Sequence, residues 1–189
     1  MINIIGGINK RTKIAVPKKN VRPTSAIKRE AIFSIIDNYS KKINFSICNQ
    51  KNILDLFAGS GSFGLEAISR GASFVYFYEK NTEVIKYLNN NCFKICKSDK
   101  FEIKKENILE SKFNNIDKEI SLVFIDPPYL INPFEKILIN LNKSKILSNN
   151  ALVIIECSNK INLSFPSFFS IYNKKYYGKT KIFFLINKN

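Results

Sequence analysis

From Asn52 onward the chain alternates short apolar runs with amphipathic stretches. "NILDLF", "SFVYFYE", "KFEIKK", "ISLVFID" and "ALVIIEC" read as strands. Between them "SFGLEAISR", ended by Gly71, "NTEVIKYLNNNCFKI" and "PFEKILINLN" carry apolar residues at helical spacing. Apolar strands alternating with helices predict a doubly wound α/β sheet, mainly parallel and covered on both faces. The tail "FFSIYNKKYYGKTKIFFLI" places two strands close together around "YYGK", which predicts a hairpin and so an antiparallel edge. The first ~45 residues break the alternation. There "NIIGG" and "TKIAVP" suggest a small hairpin, "VRPT" an extended link, and "SAIKREAIFSIID" a helix. Thr24 or Ser25 can cap that helix, and Ile27, Ile32, Phe33, Ile35 and Ile36 supply its apolar face. This divides the chain into an N-terminal extension, 1–45, and an α/β domain, 46–189.

Composition narrows the chemistry. The chain has 189 residues and no histidine. Histidine triads, imidazole metal sites and histidine acid–base catalysis are therefore excluded. Cys48, Cys92, Cys96 and Cys157 form no paired C-x-x-C spacing, so free structural thiols are expected and no metal. There is no signal-peptide layout and no membrane-length apolar run, which points to the cytoplasm. The 30 basic against 15 acidic residues give a net charge of +15. Lys10, Arg11, Lys13, Lys18, Lys19, Arg22, Lys28 and Arg29 fall together with no acid among them. An AT-rich genome also enriches lysine, but a concentrated basic arm is the usual footprint of a nucleic-acid partner.

Two motifs carry candidate chemistry. "DLFAGSGSFGLEA" places Gly59, Gly61 and Gly64 at the first strand-to-helix turn. Glycine there lets the backbone approach a ligand closely, as in dinucleotide sites. Glu79 ends the next strand, where a carboxylate can accept both hydroxyls of a ribose. No Gly-Lys-Ser/Thr follows, which rejects a P-loop. Asp55 separates the two remaining possibilities. It would repel a dinucleotide pyrophosphate but attract the ammonium of a methionine moiety, favouring S-adenosyl-L-methionine.

The second motif is "LVFIDPPYL". Pro127 and Pro128 stop a buried strand and have no N–H, leaving the Asp126 carboxylate and the Pro127 carbonyl as acceptors without local donors. An exocyclic base amino group is a poor nucleophile because its lone pair is delocalised into the ring. Two acceptors on its two hydrogens can position it and favour the pyramidal geometry of attack. Tyr129 can stack on the base, worth ~1–3 kcal/mol, which offsets much of the cost of flipping a base. The fourth strand of a doubly wound sheet lies beside the first, so this corner should face the glycine turn.

In that order, "DLFAGSG" and "DPPY" resemble the amino-methyltransferases that modify nucleic-acid bases. "IIGG", "RPT" with "RE.IF" after it, and "YG.T" further resemble the RsmD family, bacterial 16S rRNA guanine-N2 methyltransferases. The resemblance spans nearly the whole chain and implies a Rossmann-like class I methyltransferase fold. It implies S-adenosyl-L-methionine held by Asp55, Phe57, Ala58, Gly59, Ser60, Gly61, Lys80 and Ile108, with Glu79 at the ribose and Asn107 near the adenine. Asp126, Pro127, Pro128 and Tyr129 would form the amino-group site. Lys10, Arg11, Lys13, Arg22, Thr24 and Arg29 would contact 16S rRNA or the assembling 30S subunit, with the enzyme a monomer. The chain departs from the family where a Gly-Arg pair usually follows the hairpin turn, reading Arg11-Thr12, and where a basic-then-apolar pair reads Ile27-Lys28. Two other readings stay open: an adenine-N6 methyltransferase on DNA or RNA, and a non-catalytic RNA-binding assembly factor. Guanine's adjacent N1–H and N2–H donors suit a carboxylate better than adenine's amino group beside a ring acceptor.

Overall fold

In a computed structural model of the chain, residues 1–17, 25–128 and 131–188 are described. Arg22 and Thr24, expected to contact RNA, and Tyr129, expected to stack on the base, lie outside the described residues. A seven-stranded sheet runs in the order β5-β4-β3-β6-β7-β9-β8. Its strands are β3 (Asn52–Leu56), β4 (Phe74–Tyr78), β5 (Phe101–Lys104), β6 (Ile120–Ile125), β7 (Leu147–Ser158), β8 (Phe169–Tyr177) and β9 (Thr180–Asn187). The first five pair in parallel, and β9 then turns antiparallel on β7 and carries β8 to the edge. The mainly parallel sheet with an antiparallel C-terminal hairpin is thus as the apolar pattern predicts.

The apolar strands divide residue by residue between the two faces, because successive side chains point opposite ways. Ile53, Val75, Phe77, Leu122, Phe124, Leu152 and Ile154 join one core with α2 (Ser62–Ser69) and α3 (Thr82–Ile95). Leu54, Leu56, Tyr76, Tyr78, Val123, Ile125, Val153 and Ile155 join the other with α4 (Phe134–Ser144). Phe63 of α2 stacks on Phe124 with ring centroids 4.1 Å apart, tying helix to sheet beside the strand ends.

The N-terminal segment is built as expected but is no separate unit. A two-residue ladder joins β1 (Ile2–Asn3) to β2 (Lys13–Ile14), and α1 spans Ala26–Lys42. The Ser25 Oγ caps α1 by accepting from the Lys28 N–H at 3.3 Å. Ile4, Ile14, Ile32, Phe33, Ile35, Ile36 and Tyr39 enter the same core as the sheet. The "IIGG" stretch docks on α2. Glu66, fully buried, accepts from the Ile5 and Gly6 N–H groups at 2.8 and 2.7 Å, and the Ile8 N–H donates to the Ser69 carbonyl at 2.8 Å. Gly7 lies at φ +74, where a Cβ would fall 1.7 Å from the Ser69 oxygen.

Two expectations for α1 are corrected. Ile27 is 76% exposed rather than part of the apolar face. It lies five residues before Ile32, roughly 140° around the helix. Arg29, expected to meet RNA, is 1% exposed. It sits three residues before Ile32 and so falls on the buried stripe, where its Nη2 donates to the Asn3 carbonyl at 2.6 Å. Arg29 thus joins helix to hairpin from inside the fold.

Candidate active site

The switch point of the sheet lies between β3 and β6, because the chain leaves β3 toward β4 and later returns to β6 on the other side. Ligands of open α/β sheets bind outside the strand ends at such a point. Here a cleft of about 620 Å³ opens, lined by both sequence motifs. Asp55, Phe57, Ala58, Gly59, Ser60, Glu79, Lys80, Asn107 and Ile108 face it from one side, and Asp126, Pro127 and Pro128 from the other. Residues 71 apart in sequence therefore share one cavity because β3 and β6 are neighbours. Lys10, Arg11 and Lys13 are exposed on the hairpin, outside the cleft lining.

The glycine turn is held by side chains as much as by its own conformation. Glu79 accepts from the Gly59 N–H at 3.0 Å with one oxygen and from the Asn81 N–H at 2.9 Å with the other. Each oxygen keeps a further acceptor site for a ribose hydroxyl. Asn91 of α3 donates to the Ser60 carbonyl at 2.9 Å and also exchanges bonds with the Ala15 backbone, joining turn to hairpin. Gly61 adopts φ +79, and a Cβ there would meet Leu88 at 2.5 Å. Phe57 also takes a left-handed conformation, φ 62, uncommon for a non-glycine residue and enriched at functional turns. Gly61 belongs to this turn but, unlike Phe57, Ala58, Gly59 and Ser60, does not line the cleft.

Asp55 lies beneath the turn, 2% exposed, accepting from the Gly64 N–H at 3.0 Å. Burial pushes its carboxyl up to about 7; the Gly64 bond opposes this and the nearby Glu79 charge adds to it. A cation in the cleft would favour the ionised form. The Ser60 Oγ is buried without a hydrogen-bond partner among the described residues, leaving a polar group for a ligand to engage. The cleft thus offers a buried carboxylate at Asp55, a second carboxylate at Glu79 and the Asn107–Ile108 wall, a set of groups that fits S-adenosyl-L-methionine.

The other half of the cleft contains side chains that motif reading missed. Lys28 of α1 and Glu156 of β7 both line it and form an ion pair. A glutamate inside the otherwise apolar run "ALVIIEC" was a readable signal, since a buried charge needs a partner. Lys28 gave none, because only the helix's rotation turns it inward. Val84, Phe63 and Phe124 complete the apolar floor. Among the described residues no cluster of His, Cys, Asp and Glu could hold a metal, and no helix is long and apolar enough to cross a membrane.

The family described as Conserved hypothetical protein 95 matches residues 2–186. A ribosomal RNA small subunit methyltransferase D from Buchnera aphidicola subsp. Baizongia pistaciae is 35% identical over 162 residues, covering 85% of this chain and 78% of that one. The chain belongs to the RsmD family. Among solved structures, a proposed methyltransferase of Escherichia coli has a TM-score of 0.81 at 26% identity, covering 99% of this chain and 98% of that one. An RNA methyltransferase from Salinibacter ruber in complex with S-adenosyl-L-homocysteine has a TM-score of 0.61 at 13% identity, covering 89% and 95%; it shows the shared Rossmann-like fold. The expected class I methyltransferase architecture of an RsmD-family chain is thereby established.

Proposed function

We propose that the protein transfers a methyl group from S-adenosyl-L-methionine to the exocyclic N2 amino group of a guanine in small-subunit ribosomal RNA. The observation that carries this reading is the shared cleft. The Asp126–Pro127 corner opens into the same cavity as the glycine turn, Asp55 and Glu79. Family membership and the named function of the relatives support ribosomal RNA as the substrate.

When bound, the cofactor supplies an electrophilic methyl on a sulfonium. Asp55 would hold the methionine ammonium, Glu79 the ribose hydroxyls, and Asn107 with Ile108 the adenine. Phe57, Ala58, Gly59, Ser60, Gly61 and Lys80 would shape the space around them. Asp126 and the Pro127 carbonyl would accept the two hydrogens of the base amino group, with Pro128 keeping the corner rigid. Tyr129, next in the chain, would stack on the base. Asp126, or water beside it, would take the proton that the amino nitrogen loses on methylation. Lys10, Arg11, Lys13 and Arg22, with Thr24, would contact the RNA. Arg29 is omitted because it is buried in the fold.

The test is transfer from methyl-labelled cofactor to undermodified 30S particles, naked 16S rRNA and DNA, followed by nucleoside analysis. Label on guanine N2 of the ribosomal RNA is expected. Label on an adenine, or only on DNA, would overturn the assignment. Cofactor binding without any transfer would favour an assembly factor.

A further inference from the structure

Glu156 is 1% exposed, and one of its oxygens pairs with Lys28. The other, Oε2, is buried with no hydrogen-bond partner among the described residues. Leaving such an acceptor unsatisfied is costly, so the site favours a ligand that brings a donor. Both side chains line the cleft together with Asp126. The sheet explains this grouping. β6 and β7 run parallel with Ile125 opposite Ile155, so Asp126 and Glu156 leave neighbouring strands side by side. The last paired residues, Ile125 and Ile155, stand at the ordinary strand spacing of about 4.8 Å, and Asp126 and Glu156 are the residues that follow them. Asp126 thus neighbours Glu156, which in turn pairs with Lys28.

We propose that Glu156 and Lys28 read the Watson–Crick edge of the target base and select guanine. This rests on the guanine-N2 reading above and adds the residues that enforce it. Along one edge guanine presents N2–H, N1–H and O6: donor, donor, acceptor. The cleft presents the complement in the same order. The Asp126–Pro127 corner accepts from N2, Glu156 Oε2 accepts from N1–H, and Lys28 Nζ donates to O6. An adenine with its N6 at the corner would turn the N1 lone pair toward the Glu156 carboxylate. Selection therefore comes from repelling the wrong base as well as from holding the right one. If the ion pair merely fastened α1 to β7, it would be indifferent to the base edge.

The test uses the full-length protein and small-subunit RNA assembled by ligation, with guanine or 2-aminopurine at the methylated position. 2-Aminopurine keeps the target amino group, but its N1 is an acceptor and it has no O6. Wild-type kcat/KM should favour guanine by about tenfold or more, the usual discrimination of a well-placed base-edge contact. Glu156→Gln can turn an amide N–H toward an acceptor N1, so it should lose activity on guanine and gain on 2-aminopurine. Lys28→Met should lose about tenfold on guanine and much less on 2-aminopurine. Cofactor affinity, measured by calorimetry, should be unchanged in both. The variants remove the pair from opposite ends, so misfolding of one leaves the other as the test. A guanine/2-aminopurine ratio that stays at the wild-type value overturns the reader. Wild-type label on adenine instead of guanine overturns the underlying reading, a distinguishable failure.

Discussion

The two halves of the cleft are built differently. On the side of the glycine turn, where we place the cofactor, the backbone is the framework and side chains brace it: Glu79 on Gly59, Asp55 on Gly64, Asn91 on Ser60. On the side of Asp126, where we place the base, three separate elements deliver side chains to one place: the end of β6, the body of β7 and the first turn of α1. Asp55 and Asp126 express the contrast. The first is fully buried under the turn, while the second is half-buried at the cleft wall. A half built on backbone tolerates little change in shape, and a half built on side chains can change its specificity one residue at a time.

The strongest break of this comparison is Asp126→Ala. Methyl transfer should fall by about 10²–10⁴, the range for losing a positioned proton acceptor, while cofactor binding by calorimetry stays intact. Equal loss of both would remove the distinction between the halves. Next is Gly61→Ala, which combines a Cβ clash at Leu88 with a left-handed backbone. It should cost about 1–3 kcal/mol in urea unfolding and weaken cofactor binding, whereas a variant on the base side should leave that binding unchanged.

Asp55 gives a pH test of the cofactor half. Its carboxyl, raised in the fold to about 7 from 3.8, makes the folded state bind the extra proton. The wild-type protein therefore loses stability from this group as pH rises from about 4 to about 7, and no further above. Asp55→Asn keeps an acceptor for the Gly64 N–H and removes the buried charge. Its stability relative to wild type should rise by roughly 2 kcal/mol between pH 5.5 and pH 8, read from urea midpoints. Wild-type affinity for the cationic cofactor should weaken as pH falls below about 7, and this slope should vanish in the variant.

The smallest effect lies on the hairpin. Arg11 stands at φ 72, a left-handed conformation that glycine adopts without strain. Arg11→Gly should stabilise the fold by about 1 kcal/mol and lower the salt dependence of RNA binding by about one unit of slope if Arg11 meets a phosphate. An unchanged slope would place the RNA elsewhere than on this turn.

Much of this architecture was legible along the chain. The apolar runs from Asn52 onward were long enough to name the strands, and the tail's "YYGK" turn between Tyr177 and Thr180 marked the hairpin. Helix α1 ran on to Lys42, past the expected "SAIKREAIFSIID", because Tyr39 continues the buried stripe where the surrounding residues are polar. The N-terminal segment read as an appendage because its contacts are long-range. Glu66, Ser69 and Asn91 bind it from positions sixty or more residues away. The burial of Arg29 is hidden for a related reason: charge is visible in sequence, but the direction a side chain faces depends on what the helix packs against.

The sequence by itself determined the sheet, the glycine turn and the proline-stopped acceptor corner, because strand periodicity, glycine freedom and the missing proline N–H are local properties of the chain. Only the tertiary structure decided which charges are buried and which share a cavity. Placing Asp126 beside Glu156, and turning Lys28 rather than Ile27 toward them, depends on strand order and helix rotation, which distant core contacts set.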